Sequence, residues 1–264
     1  KKKIESDYTK RLFIPNYLVF GQFEIDHFKK NKIKVKNFFK VGSIRLANFF
    51  QYIKKKKIKL KKSKYDICLI SEIGYGRDKI YGEKNIEQGL ADMVKFTIKF
   101  CRRNKKKLIF AWKRDKKTSP EAHERELNFL KKYLSRDELN YLYKNSISKK
   151  KESYSSYMTM AQSKVVVGFW STMLREHLAT GGKILSCNLV NTNIFDFPIG
   201  GICSIRNCTY KEFEKRLLGI HRMPKKKYFS KLDKDKCYMI RYEKNNSTID
   251  ILKRKIDLFI AKTC

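Results

Sequence analysis

Apolar positions along this chain change their spacing repeatedly, from unbroken short runs to the three-and-four spacing of a helix and back. The runs YDICLIS (residues 65–71), KLIFAW (107–112), KVVVG (164–168) and KILS (183–186) are apolar almost throughout and predict buried strands. Between them, helical spacing predicts helices over 85–103, 120–134, 153–162 and 171–180, with a further short strand over 140–144. Ser119 and Pro120 stand at the cap and first position of the second of these helices. Strands without a polar face need cover on both sides. Their alternation with helices therefore predicts an α/β fold, a parallel sheet with helices on both faces. Helices near 210–218 and 247–260 complete the pattern.

Upstream, 17–20 reads as a short strand, 21–30 as a helix, 38–41 as a second strand ending at Gly42-Ser43, and 44–53 as a helix. A Lys-rich segment, 54–64, follows and reads as an exposed linker or turn-rich insertion. It sets the expected boundary: residues 1–60 as the end of a first, incomplete lobe with its crossing segment, and 61–264 as the second domain. No internal repeat is present.

Composition narrows the function classes. At 264 residues, 42% of them hydrophobic, the chain can bury a core of one large domain or one and a half. Its net charge of +36 points toward a polyanion or an anionic membrane. An AT-rich genome offers a second source for that charge, since 48 of the 62 basic residues are Lys and they travel with many Ile, Asn, Tyr and Phe.

The seven cysteines form no CxxC pair, and several lie in apolar runs, as buried thiols in a reducing compartment do. No apolar run approaches the roughly 18 residues of a membrane span, and Lys1-Lys2-Lys3-Ile4-Glu5 leads into no signal-peptide core. The expected location is the cytoplasm, with peripheral association at the inner face of the cytoplasmic membrane. The absence of an initiator Met gives the expectation that the chain starts partway through a longer gene.

The richest chemistry lies in KVVVGFWSTMLREHLATGGKIL, residues 164–185. A buried strand ends at Gly168, and Ser171-Thr172 stand where a helix begins, so hydroxyls and free N–H groups face the carboxyl edge of the sheet. That edge is where open α/β sheets bind ligands, and a phosphate suits it. Glu176, five residues on, can accept hydrogen bonds from a ribose or sugar diol. The plainer alternative is that Ser171 only caps the helix and Glu176 is one surface acid among many; the flanking VVVG and Gly-Gly-strand favour the ligand reading.

Lys113 and Arg114 follow KLIFAW at the same edge, as point charge and two-point phosphate partner respectively. Glu72, Gly74 and Gly76 follow the first strand of this domain; glycines let a backbone approach a ligand, and a plain tight turn is the alternative. His27, His123, His177 and His221 are scattered, and Asp233-Lys-Asp235 sits in a basic loop, so no metal site and no cofactor is expected.

The run Tyr157-x-x-Met160-Ala161 through VVVG, STMLRE, Gly181-Gly182 and KIL resembles the donor-binding region of GT-B-fold glycosyltransferases and the related sugar-nucleotide 2-epimerases. Tyr17-Leu-Val-Phe-Gly21 and Lys40-Val-Gly-Ser43-Ile-Arg45 are similar to the last strands of their first domain, with Ile44 where Pro is often found. The likeness is to bacterial surface-carbohydrate biosynthesis proteins and covers most of 15–262. It implies a Rossmann-like GT-B C-terminal half, with Ser171, Thr172, Arg114 and Lys113 for donor phosphate, Glu176 for ribose or sugar, and the Glu72–Gly76 loop lining the cleft.

By that resemblance the substrate is a nucleotide-sugar donor and the partner a carbohydrate or lipid-linked acceptor. Transfer would be metal-independent, with the base unassigned and expected from the first domain. The alternative class is a nucleic-acid or polyanion-binding protein without catalysis, built on Lys interleaved with aromatics as in Asn37-Phe38-Phe39-Lys40. Nucleic acid is the less favoured partner because basic residues spread along the whole chain and Arg is scarce.

Overall fold

The structure is a computed structural model that describes residues 13–60, 63–72, 86–113, 116, 119–146, 154–190, 192–244 and 247–260. The chain divides into two units, Lys1–Ile58 with Asp235–Cys264, and Lys59–Lys234.

In the first unit, strands β1 (Phe13–Val19) and β2 (Lys34–Lys40) pair in parallel, joined by helix α1 (Gln22–Lys30), and helix α2 (Ile44–Lys55) follows. Ser43 caps α2 by accepting from the Leu46 amide at 3.2 Å. The returning segment is stitched to these elements by main chain: Phe23 N donates to Tyr238 O at 3.0 Å and Arg241 N to Phe20 O at 2.8 Å. Gly21 and Gly42 permit that approach, because a Cβ on Gly21 would stand 2.6 Å from the Met239 carbonyl and one on Gly42, at φ +86°, 2.4 Å from Arg241 O. Residues 235–264 therefore belong with the first unit, a correction to the expected single domain over 61–264.

The second unit carries five parallel strands, β3 (Tyr65–Ile70), β4 (Leu108–Ala111), β5 (Ser163–Gly168), β6 (Lys183–Asn188) and β7 (Ser204–Arg206), in the order β4-β3-β5-β6-β7. Ile67, Leu69, Val165, Val167 and Ile184 are fully buried, so the sheet is covered on both faces as its apolar strands require. Helix α3 (Ile86–Arg103) links β3 to β4, and α4 (Pro120–Tyr133), α5 (Arg136–Lys144) and α6 (Ser155–Ala161) lie between β4 and β5. Helix α7 (Thr172–Ala179) links β5 to β6. After β7 come α8 (Tyr210–Arg222) and α9 (Lys225–Phe229), and the first unit's α10 (Thr248–Ile260) ends the described chain. Helix α3 packs on α4, α5 and α8, while α7 packs on α6.

One local expectation is corrected and one strand was not foreseen. Residues 140–144 belong to helix α5, set by the capping box of Ser135 and Glu138, in which each side chain bonds the other's backbone amide. Strand β7 has three residues and no apolar run to announce it.

At the amino edge of the sheet, Asp66 accepts from Lys164 Nζ at 2.8 Å and the Lys107 amide at 3.0 Å, and pairs with His221 Nε2 at 2.9 Å. Burial opposes its ionisation, yet these hydrogen bonds outweigh burial and hold its carboxyl well below the usual range. Among the described residues no helix is long and apolar enough to cross a membrane.

Candidate functional site

The strand order fixes where a ligand crevice can form. The connection from β3 runs toward β4 and that from β5 runs the opposite way toward β6, so the two chains diverge at the carboxyl ends of β3 and β5. This divergence is a topological switch point, the common binding place in open parallel sheets. Ser71-Glu72 follow β3 there, and Phe169, Trp170 and Ser171 follow β5.

Ser171 is the cap of α7, its Oγ accepting from the Met173 amide at 3.3 Å. Thr172, the first helical residue, is exposed, and its N–H has no acceptor within the helix by construction. Arg175 stacks its guanidinium over the Trp170 ring at 4.9 Å. Ser186, opposite Gly168 in the β5–β6 register, donates from Oγ to Phe169 O at 2.5 Å and pins the turn from the neighbouring strand.

Glu72 reaches into this turn. Its Oε1 accepts from Phe169 N at 3.3 Å and its Oε2 from Trp170 N at 3.1 Å, with the residue 6% exposed. Gly168 accommodates it, since a Cβ there would meet Glu72 Oε1 at 3.4 Å and Leu174 Cδ1 at 3.2 Å. The sequence placed Glu72 in a ligand-lining loop; in the structure its carboxylate bonds the two amides that open the β5–α7 turn.

Glu176 lies on the inner side of α7, 1% exposed, and accepts from Tyr157 Oη at 2.8 Å. It shares α7 with Thr172 but not its exposure. Lys113 is exposed beyond the end of β4, its amide donating to Glu126 Oε1 of α4 at 3.2 Å. Arg114, Gly74 and Gly76 lie outside the described residues. Ser171, Thr172 and Glu72 therefore meet at one switch point, while Glu176 faces the interior.

His177, next along α7, is buried, its Nε2 has no hydrogen-bond partner among the described residues, and burial, with the charge of Lys225, lowers its pKa to about 3. It is a neutral packing group. Among the described residues no three His, Cys, Asp or Glu side chains come together to hold a metal ion.

Sequence reasoning missed Ser186 and Trp170 as parts of this turn. For Ser186 a signal existed, a hydroxyl ending the apolar run KIL at a strand terminus.

No family model and no curated protein matches the sequence. Among solved structures, the crystal structure of an α,α-trehalose-phosphate synthase (UDP-forming) from Burkholderia vietnamiensis is similar, at 9% identity and a TM-score of 0.46. The match covers 93% of this chain and 61% of that one, so the chain spans about three-fifths of the length of that protein.

Proposed function

We propose that the second unit binds the nucleotide of an activated sugar, and that the chain is the donor-binding part of a glycosyltransferase in surface polysaccharide or glycolipid biosynthesis. The observation that carries this reading is the switch point itself, a parallel sheet whose divergent strand ends are met by the Ser171-capped start of α7. In this reading the Thr172 N–H at the start of α7 and the Ser171 and Thr172 hydroxyls take up phosphate oxygens, and basic side chains beyond β4 add charge. Phosphate is thereby held by N–H groups and cations, which makes the proposed transfer metal-independent.

The acceptor is proposed to be a carbohydrate or lipid-linked molecule. The charge of +36 supports a peripheral seat on an anionic leaflet, where lipid-linked acceptors would be within reach.

The test is thermal unfolding of the chain with CMP, UDP, ADP and GDP, and separately with a single-stranded oligonucleotide. A ligand that binds only the folded state adds about 2.7 kcal/mol at a hundred times its Kd. Stabilisation by at least one nucleotide and not by the oligonucleotide is the expected result. The same charge favours a second reading, a polyanion-binding protein without catalysis, and stabilisation by the oligonucleotide alone would establish it instead.

A further inference from the structure

Helix α10 is held to the first unit by its earlier turns. Thr248 and Ile251 are buried, and Lys255 lays its Nζ over the Phe39 ring of β2 at 5.1 Å. Beyond Lys255 the helix stands clear of the unit: Ile256, Leu258 and Ile260 are 52%, 53% and 55% exposed. Ile249, Leu252, Ile256 and Ile260 recur at three-and-four spacing, so an apolar stripe runs along the helix and out to this uncovered end. Leu18, paired with Phe39 in the β1–β2 register, and Ile44, which opens the neighbouring α2, are exposed as well. Exposure of this kind is concentrated here, not scattered singly as on an ordinary surface.

The charges beside the stripe decide what it fits. Lys253 and Arg254 are exposed immediately before Ile256, while Asp250 is engaged at the helix start, where its Oδ2 accepts from Ser247 Oγ at 2.6 Å. An apolar protein surface laid over this end would strip water from those cations and return nothing to them. A second copy of the chain would bring like charge to like charge. An anionic bilayer accepts both kinds of group, apolar side chains at the acyl boundary and cations at the headgroup phosphates.

We propose that the last turns of α10 enter the surface of an anionic bilayer, with Ile256 and Ile260 at the acyl boundary and Lys253 and Arg254 on the lipid phosphates. This inference rests on the peripheral seat proposed above and names the element that makes it. Nucleotide binding by the second unit has no part in it.

The experiment uses the full chain and two kinds of vesicle, phosphatidylcholine alone and phosphatidylcholine mixed with phosphatidylglycerol. Co-sedimentation compares wild type, the double variant Ile256→Ser with Ile260→Ser, and Ile194→Ser, a control at an exposed isoleucine of the second unit. Wild type should bind the mixed vesicles in preference to phosphatidylcholine, the double variant should bind them about tenfold more weakly, and the control should match wild type. Depth is read separately, from quenching by brominated acyl chains of a tryptophan placed by Ile256→Trp or by Ile194→Trp. The first should be quenched beyond the wild-type background and the second should not.

Binding of the double variant equal to that of wild type, or equal quenching at 256 and 194, overturns the inference and leaves a purely electrostatic seat standing. A wild-type dimer that the double variant converts to a monomer assigns the stripe to a second copy and overturns it too. If wild type binds neither kind of vesicle, the peripheral seat fails and the inference falls with it.

Discussion

The phenol of Tyr157 on α6 donates to the Glu176 carboxylate on α7 at 2.8 Å, with both residues buried. The bond ties the helix that enters β5 to the helix that leaves it. Tyr157→Phe removes a donor from a carboxylate that water cannot reach, a loss of about 1–3 kcal/mol. Urea unfolding of the variant should show that loss, with the denaturant slope unchanged.

How much of this was legible in the sequence depends on what each residue touches. The strands at 65–70, 108–111, 163–168 and 183–188 could be read because burial on both faces leaves no polar position to confuse the pattern. Ser171 and Thr172 could be read as a helix start because capping is local. Glu176 could not be placed, since a carboxylate five residues into a helix looks the same whether it meets solvent or a tyrosine nineteen positions upstream. The bond from Glu72 to residues 169 and 170 spans nearly a hundred positions, and so does nothing to local periodicity. The return of 235–264 to the first unit rests on main-chain bonds such as Arg241 N to Phe20 O, which side-chain patterns do not record.

The stability of the second unit should depend on pH through His177. Burial, with Lys225, lowers this imidazole from 6.5 to about 3 in the folded chain, while the unfolded chain keeps the ordinary value. Between those values the unfolded state binds a proton that the folded state refuses, so stability falls as pH falls through that window. The slope is roughly 1 kcal/mol per pH unit in its middle. His221, lowered by burial against the pull of Asp66, adds to the same trend. Denaturation of wild type and His177→Leu at pH 7 and pH 4.5 separates the two, and the variant should lose less over the interval.

Gly182 is predicted to resist substitution for a reason that also involves His177. A Cβ at Gly182 would lie 2.1 Å from His177 Nε2, and the buried imidazole has little room to withdraw. Gly182→Ala should cost about 1–3 kcal/mol. Combined with His177→Ala, it should cost clearly less than the two single changes added together, which a double-mutant cycle by urea unfolding would measure.

Lys183 opens β6 and closes α8. Its Nζ donates to the carbonyls of Ile220, His221 and Met223 at 2.6, 3.1 and 2.8 Å, satisfying the end of that helix with a cation. Burial, and then the charges of Lys225 and Lys164, lowers its pKa below the ordinary lysine value. Lys183→Met keeps the apolar stem and loses the three bonds. The expected loss is about 1.5–3 kcal/mol in urea unfolding, since a charged donor is removed from buried carbonyls.

The central claim is that a nucleotide seats at the start of α7, and amide hydrogen exchange of the intact chain, with and without saturating nucleotide, tests it most directly. The account predicts slowed exchange in a peptide covering residues 169–174, where Ser171 and Thr172 present the helix N-terminus, and little change in the Lys-rich stretch 54–60. Unchanged exchange at 169–174 together with protection of the Lys-rich stretch would contradict it, and would place the anion on the basic surface instead.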